Sequence, residues 1–172
     1  MTIRALQVEV SHGQYILQGP DAQLGNPVFK GGNGLVWAGE GTAVVMTGQD
    51  DGTIALTIDT LAVEPEPSLE GWDDVVDTSI TITGDTLTIY GPVYLDDATV
   101  IPLPATTAQT GTYRLRVHVR GRDEGREAGE VYADEGEQIL EHHLVLIWPA
   151  PHAPDTPLKL TDGVGAEIRA RT

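Results

Sequence analysis

The stretch Thr112-Tyr113-Arg114-Leu115-Arg116-Val117-His118-Val119-Arg120 alternates between apolar and polar residues without a break. In an extended chain, successive side chains point to opposite faces. Tyr113, Leu115, Val117 and Val119 therefore share one face, and Arg114, Arg116, His118 and Arg120 share the other. A strand needs this division when one side lies on an apolar core and the other carries charge.

The same period spreads outward from this stretch. Leu6, Val8 and Val10 alternate with Gln7 and Glu9, and residues 15–17 form a second strand after the His12-Gly13 turn. Residues 35–37 and 43–46 are short apolar runs parted by Gly39-Glu40-Gly41, and Trp37, like Trp148, reads as structural. Ile54, Leu56 and Ile58 alternate with Thr53, Ala55 and Thr57. The phase then slips at Asp59-Thr60, which predicts a β-bulge or a bend near Asp59. Ile80 and Ile82, then Gly84-Asp85, then Leu87 and Ile89 read as a β-hairpin. Residues 139–148 are almost continuously apolar, as a central strand covered on both faces would be.

Helical signals are weak. Ser68-Leu69-Glu70-Gly71-Trp72-Asp73-Asp74 could form a turn capped by Ser68, but Gly71 weakens it. The expectation is an all-β chain, residues 1–172 as one domain: a two-sheet antiparallel β-sandwich, jelly-roll-like, with long loops and little helix. Residues 121–136, rich in glycine and charge, read as an exposed loop. Residues 149–157 hold four prolines and read as a surface segment, because proline cannot pair within a central strand.

Composition limits the function. The chain has 172 residues and no cysteine, which removes disulfides, thiolate metal sites and cysteine nucleophiles together. No secretory leader is visible at the start, and the longest apolar run, residues 144–148, is far too short for a membrane span. A cytoplasmic location is expected. The net charge is -16, and between Gly31 and Tyr113 there are 13 carboxylates and no lysine or arginine. Such a chain repels nucleic acid and anionic membranes, and it attracts basic proteins. Acidity serving solubility alone is the competing reading.

No motif carries catalysis. G-x-S-x-G and the phosphate-binding P-loop are absent, and Gly31-Gly32-Asn33-Gly34 has no helix after it to cradle a phosphate. His142 and His143 are adjacent on a strand and point apart, so neither they nor His118 form a metal-ligand spacing. The pairs Asp50-Asp51, Asp73-Asp74 and Asp96-Asp97 lack the repeated oxygen spacing of a calcium loop. No cofactor or metal is implied, and the chain does not read as an enzyme. The row Arg114, Arg116, Arg120, continued by Arg122 and Arg126, is expected to pair with carboxylates on neighbouring strands. Trp72, ringed by charge, is either an interface anchor or a core residue under a loop.

Several pieces resemble the competence protein J (ComJ)-like group of small bacterial proteins. They are Gln14-Tyr15, Gly39-Glu40-Gly41, the run 53–58, Pro65-x-Pro67, Gly71-Trp72-Asp73, the Ile80 segment, Gly111-Thr112-Tyr113-Arg114-Leu115-Arg116-Val117, Arg120-Gly121-Arg122-Asp123 and Leu146-Ile147-Trp148-Pro149-Ala150-Pro151. The resemblance implies an immunity-type inhibitor of a basic partner, such as a nuclease toxin. The charge pattern places the contact among Glu64, Glu66, Glu70, Trp72, Asp73, Asp74, Asp77, Asp96 and Asp97. The alternative is a small-molecule- or metal-binding β-sandwich, with His118, His142 or His143 as ligands.

Overall fold

The computed structural model describes residues 2–23, 32–106 and 110–171. The alternating stretch is the strand β9 (Thr110–Arg120), and the same alternation elsewhere produces a two-layer, mostly β protein. In chain order the preceding strands are β1 (Thr2–Val10), β2 (Gln14–Gln18), β3 (Val36–Ala38), β4 (Thr42–Met46), β5 (Gly52–Thr60), β6 (Asp74–Thr83), β7 (Thr86–Tyr90) and β8 (Thr99–Pro102). After β9 come α1 (Arg122–Ala128), β10 (His142–Pro149), β11 (Thr156–Leu160) and α2 (Gly163–Arg169). One sheet has six strands in the order β1-β5-β10-β9-β6-β11, and the other has five in the order β3-β4-β2-β7-β8.

The core lies between the sheets. Leu56 and Ile58 of β5, Leu115 and Val117 of β9, and Val145 and Ile147 of β10 meet Leu17, Val45, Leu87 and Ile89 from the other layer. Strand β10 is central, as its apolar composition predicted. Only one of its faces is fully covered, however: His143, Val145 and Ile147 are buried, whereas Leu144 and Leu146 are half-buried.

Several expectations are corrected. The sheet is not wholly antiparallel, because β10 runs parallel to β5, with His143 opposite Leu56 and Val145 opposite Ile58. The jelly-roll-like form does not follow from this strand order. The predicted hairpin at Gly84-Asp85 is a crossing between layers: β6 lies in the six-stranded sheet and β7 in the five-stranded one. Ile80, Ile82, Leu87 and Ile89 all reach the same core from opposite sides. Alternation fixes which side of a strand is buried, not which neighbour it pairs with. Gly84 makes the crossing with φ of 108° and sits where a Cβ would lie 3.0 Å from Pro20.

No bulge interrupts β5, which pairs with β1 in unbroken register from Gly52 to Thr60. The phase slip instead marks the strand end, beyond which Val63 is exposed. The segment at Ser68 does form a short turn, closed by Trp72 N–H donating to the Leu69 carbonyl at 3.4 Å. The residues 121–136 expected as loop begin with α1, which buries Arg122 and Gly125. Of the proline-rich segment, Thr156 and Pro157 belong to β11, which pairs with β6 at the sheet edge. No helix among the described residues is long and apolar enough to cross a membrane.

Candidate partner-binding surface

The Arg row of β9 lies on the outer face of the six-stranded sheet, and most of it is consumed by internal pairing. Arg116 is 1% exposed. Its Nε donates to Asp77 Oδ1 at 2.7 Å and its Nη2 to Asp77 Oδ2 at 2.9 Å. It also donates to the Pro65 carbonyl at 2.8 Å and pairs with Glu64 at 3.3 Å, with its guanidinium carbon 5.2 Å from the Trp148 ring centre. Arg114 meets carbonyls rather than carboxylates, donating to Ala153 at 2.7 Å and Pro154 at 3.1 Å. The expected pairing with carboxylates therefore holds for Arg116 and not for Arg114.

The connection between β5 and β6 is pinned over this face. It carries Glu64, Glu66, Glu70, Trp72 and Asp73. Trp72 is half-buried, with its ring 5.3 Å from the His118 ring and the Arg120 guanidinium 5.5 Å above it. The Asp73 carboxylate accepts from the Gly121 N–H at 2.9 Å. His118 shares a hydrogen bond of 3.2 Å between Nδ1 and the Leu144 carbonyl, so Nδ1 carries the proton. Burial holds the His118 pKa below the ordinary histidine value. Burial lowers His142 in the same direction, helped by the Arg120 charge.

The nine residues singled out in the sequence do not form one patch. Asp77 is consumed by Arg116. Asp74 is fully buried against Arg122, with its Oδ2 3.0 Å from Nη2. Arg122 in turn grips Asp162 through Nε at 2.6 Å and Nη2 at 2.8 Å, and donates to the Gly34 carbonyl at 3.0 Å. Asp74 Oδ1 accepts from the N–H groups of Thr161 and Asp162, at 2.6 Å and 3.0 Å. Asp162 also caps α2 by accepting from the Gly165 N–H. This cluster ties β6, α1 and α2 together. Asp96 and Asp97 lie elsewhere, in a 3-10 turn (Leu95–Asp97) between β7 and β8 of the other sheet. That leaves the exposed Glu64, Glu66 and Glu70 with the half-buried Trp72 and Asp73 as one group and the exposed Asp96 and Asp97 as another.

Sequence reasoning missed a second buried constellation. Tyr15 on β2 and His143 Nδ1 on β10 are 3.1 Å apart, and His143 Nε2 is 2.8 Å from Glu141 Oε1. Glu141 also accepts from the Gly48 and Gln49 N–H groups. Burial raises the Tyr15 phenol well above its ordinary pKa, and the Glu141 charge adds to this. All three side chains are closed off from solvent. The set locks the two sheets together and offers no nucleophile to a substrate. A sequence signal existed in Glu141 and His143, two polar residues on one face of a strand flanked by apolar residues. Among the described residues, no group of three histidine or carboxylate side chains is placed to hold a metal ion. Trp37, read as structural, is 42% exposed on the edge strand β3.

Two solved structures share this arrangement. ComJ from Bacillus subtilis, an inhibitor of the DNA-degrading activity of NucA, superposes with a TM-score of 0.55 at 12% identity, over 86% of this chain and 96% of ComJ. The fold is ComJ-like. The product of crocagin biosynthetic gene J superposes with a TM-score of 0.56 at 12% identity, over 88% of this chain and 100% of the other. At such identity the likeness to ComJ is one of fold alone. No family sequence model and no characterised protein sequence matches the chain.

Proposed function

We propose that the chain is a non-catalytic, acidic module that binds and inhibits a basic protein, with a nuclease of the toxin class as the leading target. One observation carries the reading: this chain shares its fold with a nuclease inhibitor and spends most of its own basic side chains on internal contacts. Arg114, Arg116 and Arg122 are buried in contacts, while Glu66, Glu70, Asp96 and Asp97 stay at the surface. A nuclease cleft is basic because it holds phosphates, and opposed fields speed association and fix orientation. In this reading the protein acts in the cytoplasm and protects the cell that makes it.

The test is plasmid cleavage by basic bacterial endonucleases, with and without the purified protein, at low and high salt. Inhibition near one-to-one stoichiometry that weakens as salt rises is the expected result. Undiminished cleavage by every basic nuclease tried, at low salt and excess protein, would sink the proposal. A second reading, a small-molecule-binding sandwich, draws on a cleft of about 420 Å³ lined by Gly19, Asp21, Glu40, Gly41, Thr81 and Thr83. Its polar lining argues against a typical apolar ligand site.

A further inference from the structure

The described residues leave six large apolar side chains exposed: Ile3, Trp37, Val63, Val93, Leu95 and Val100. Four of these, Trp37, Val93, Leu95 and Val100, belong to the five-stranded sheet or to its β7–β8 connection. No strand of that sheet contains a lysine or arginine. Its exposed carboxylates Glu40, Asp85, Asp96 and Asp97 join no ion pair among the described residues. Beside Val93 and Leu95 opens a cleft of about 250 Å³ between β1 and the connection, lined by Glu9, Tyr90, Tyr94, Asp97 and Thr99.

We infer that the basic partner docks on this shoulder, laying an apolar contact over Val93, Leu95 and Val100 and inserting a lysine or arginine side chain into the Glu9–Asp97 cleft. This rests on the inhibitor reading and names the face it uses. A contact needs apolar surface as well as charge, and here the two adjoin. The cleft offers one cation the Asp97 carboxylate, the Glu9 carboxylate, one oxygen of which already accepts from the Thr53 hydroxyl, and the Tyr94 side chain in its lining. The competing group, Glu64 to Asp73, has a different economy. Arg116, Arg120 and Lys159 lie directly against its backbone or rings, so its field is partly cancelled.

The probe is a hexapeptide of alternating arginine and leucine, titrated into the 15N-labelled protein at low salt while amide shifts are followed. Shifts centred on Glu9, Tyr94, Leu95 and Asp97 are expected, with affinity about tenfold weaker in Asp97→Lys and in Leu95→Lys. Affinity unchanged in Glu70→Lys completes the expected pattern. Shifts confined to residues 64–73, or affinity lost in Glu70→Lys alone, would overturn the assignment of the face and leave the inhibitor reading standing. No shift anywhere at millimolar peptide would overturn it as well. Binding at the cleft by a protein that inhibits no nuclease would keep the face and remove the reading. Asp97→Asn serves as the milder variant if either lysine substitution fails to fold.

Discussion

The two sheets are built from the same alternation and treat charge in opposite ways. The six-stranded sheet holds Arg4, Arg114, Arg116, Arg120 and Lys159, and the carboxylates Asp74 and Asp77 on its β6 strand are buried against guanidinium groups. The five-stranded sheet has no basic side chain on its strands, and its carboxylates Glu40, Asp96 and Asp97, on the connections, remain exposed. Net charge alone does not distinguish these cases. A carboxylate locked to an arginine serves architecture, whereas an unopposed one on an exposed connection projects a field into solvent. What separates the two sheets is therefore pairing: the five-stranded sheet has no basic side chain on its own strands to oppose the carboxylates of its connections.

The largest expected effect would break the architectural half of that comparison. Arg122→Met leaves Asp162 buried without its cation and Asp74 with only Arg169, 3.5 Å away, and removing one partner of a buried pair typically costs about 3–5 kcal/mol. Urea unfolding followed by tryptophan fluorescence should show a loss of that size, or a chain that does not fold, with Arg122→Lys intermediate. A loss under about 1 kcal/mol would mean that relief of desolvation offsets the lost contacts, and the cluster would then not be structural.

A second effect concerns pH. His118 is held below its ordinary pKa by burial under Trp72, so the unfolded chain binds a proton more readily than the folded one. Its contribution to stability is full above the unfolded histidine value and declines as pH falls from there toward the lowered folded value. His142 acts in the same direction. Unfolding midpoints measured across that window should fall with acidification, and His118→Gln should flatten the slope. An unchanged slope would place the pH dependence in other groups.

Much of this was legible in the sequence. The faces of β9 and the two-layer class followed from period two, because burial on one side enforces that pattern, and the central position of β10 followed from its nearly continuous apolar run. Pairing partners did not follow. Strands β6 and β7 look like a hairpin in any single-chain reading, since nothing in Ile80, Ile82, Leu87 and Ile89 states which layer each occupies. The candidate surface was legible as composition and not as place. Asp73, Asp74 and Asp77 are close in sequence, yet one accepts from a backbone N–H and two are buried in arginine clusters. Arg122, fully enclosed, lay in a segment whose glycine and charge content predicted exposure. The apolar ridge at Val93 and Leu95 gave no signal, because a valine or leucine in a connection reads as ordinary filler.

A smaller effect would sharpen the functional half. Replacing the exposed carboxylates by their amides, Asp96→Asn with Asp97→Asn, removes two charges that join no ion pair among the described residues. Surface changes of this kind stay within about 0.5 kcal/mol, so the urea midpoint should barely move. Affinity for a basic partner should drop and its salt dependence should shallow. A large stability loss in this variant would reveal a structural role for the turn and erase the contrast between the sheets.

The smallest effect lies where the chain passes from one sheet to the other. His12 and Gly13 join β1 to β2 with φ of 56° and 68°, and Gln14 N–H donates to the Ser11 carbonyl at 3.2 Å. Two successive left-handed residues make a type I′ turn, which favours asparagine followed by glycine. Histidine tolerates that region less well than asparagine, and its exposed ring packs only at the edge of a small cleft shared with Met46 and Arg126. His12→Asn should therefore raise stability by a few tenths of a kcal/mol, about the scale of a turn-residue exchange at a compatible site. Differential urea unfolding of the two proteins would resolve it. A loss instead of a gain would show that the His12 ring, and not the turn geometry, holds the crossing between the sheets.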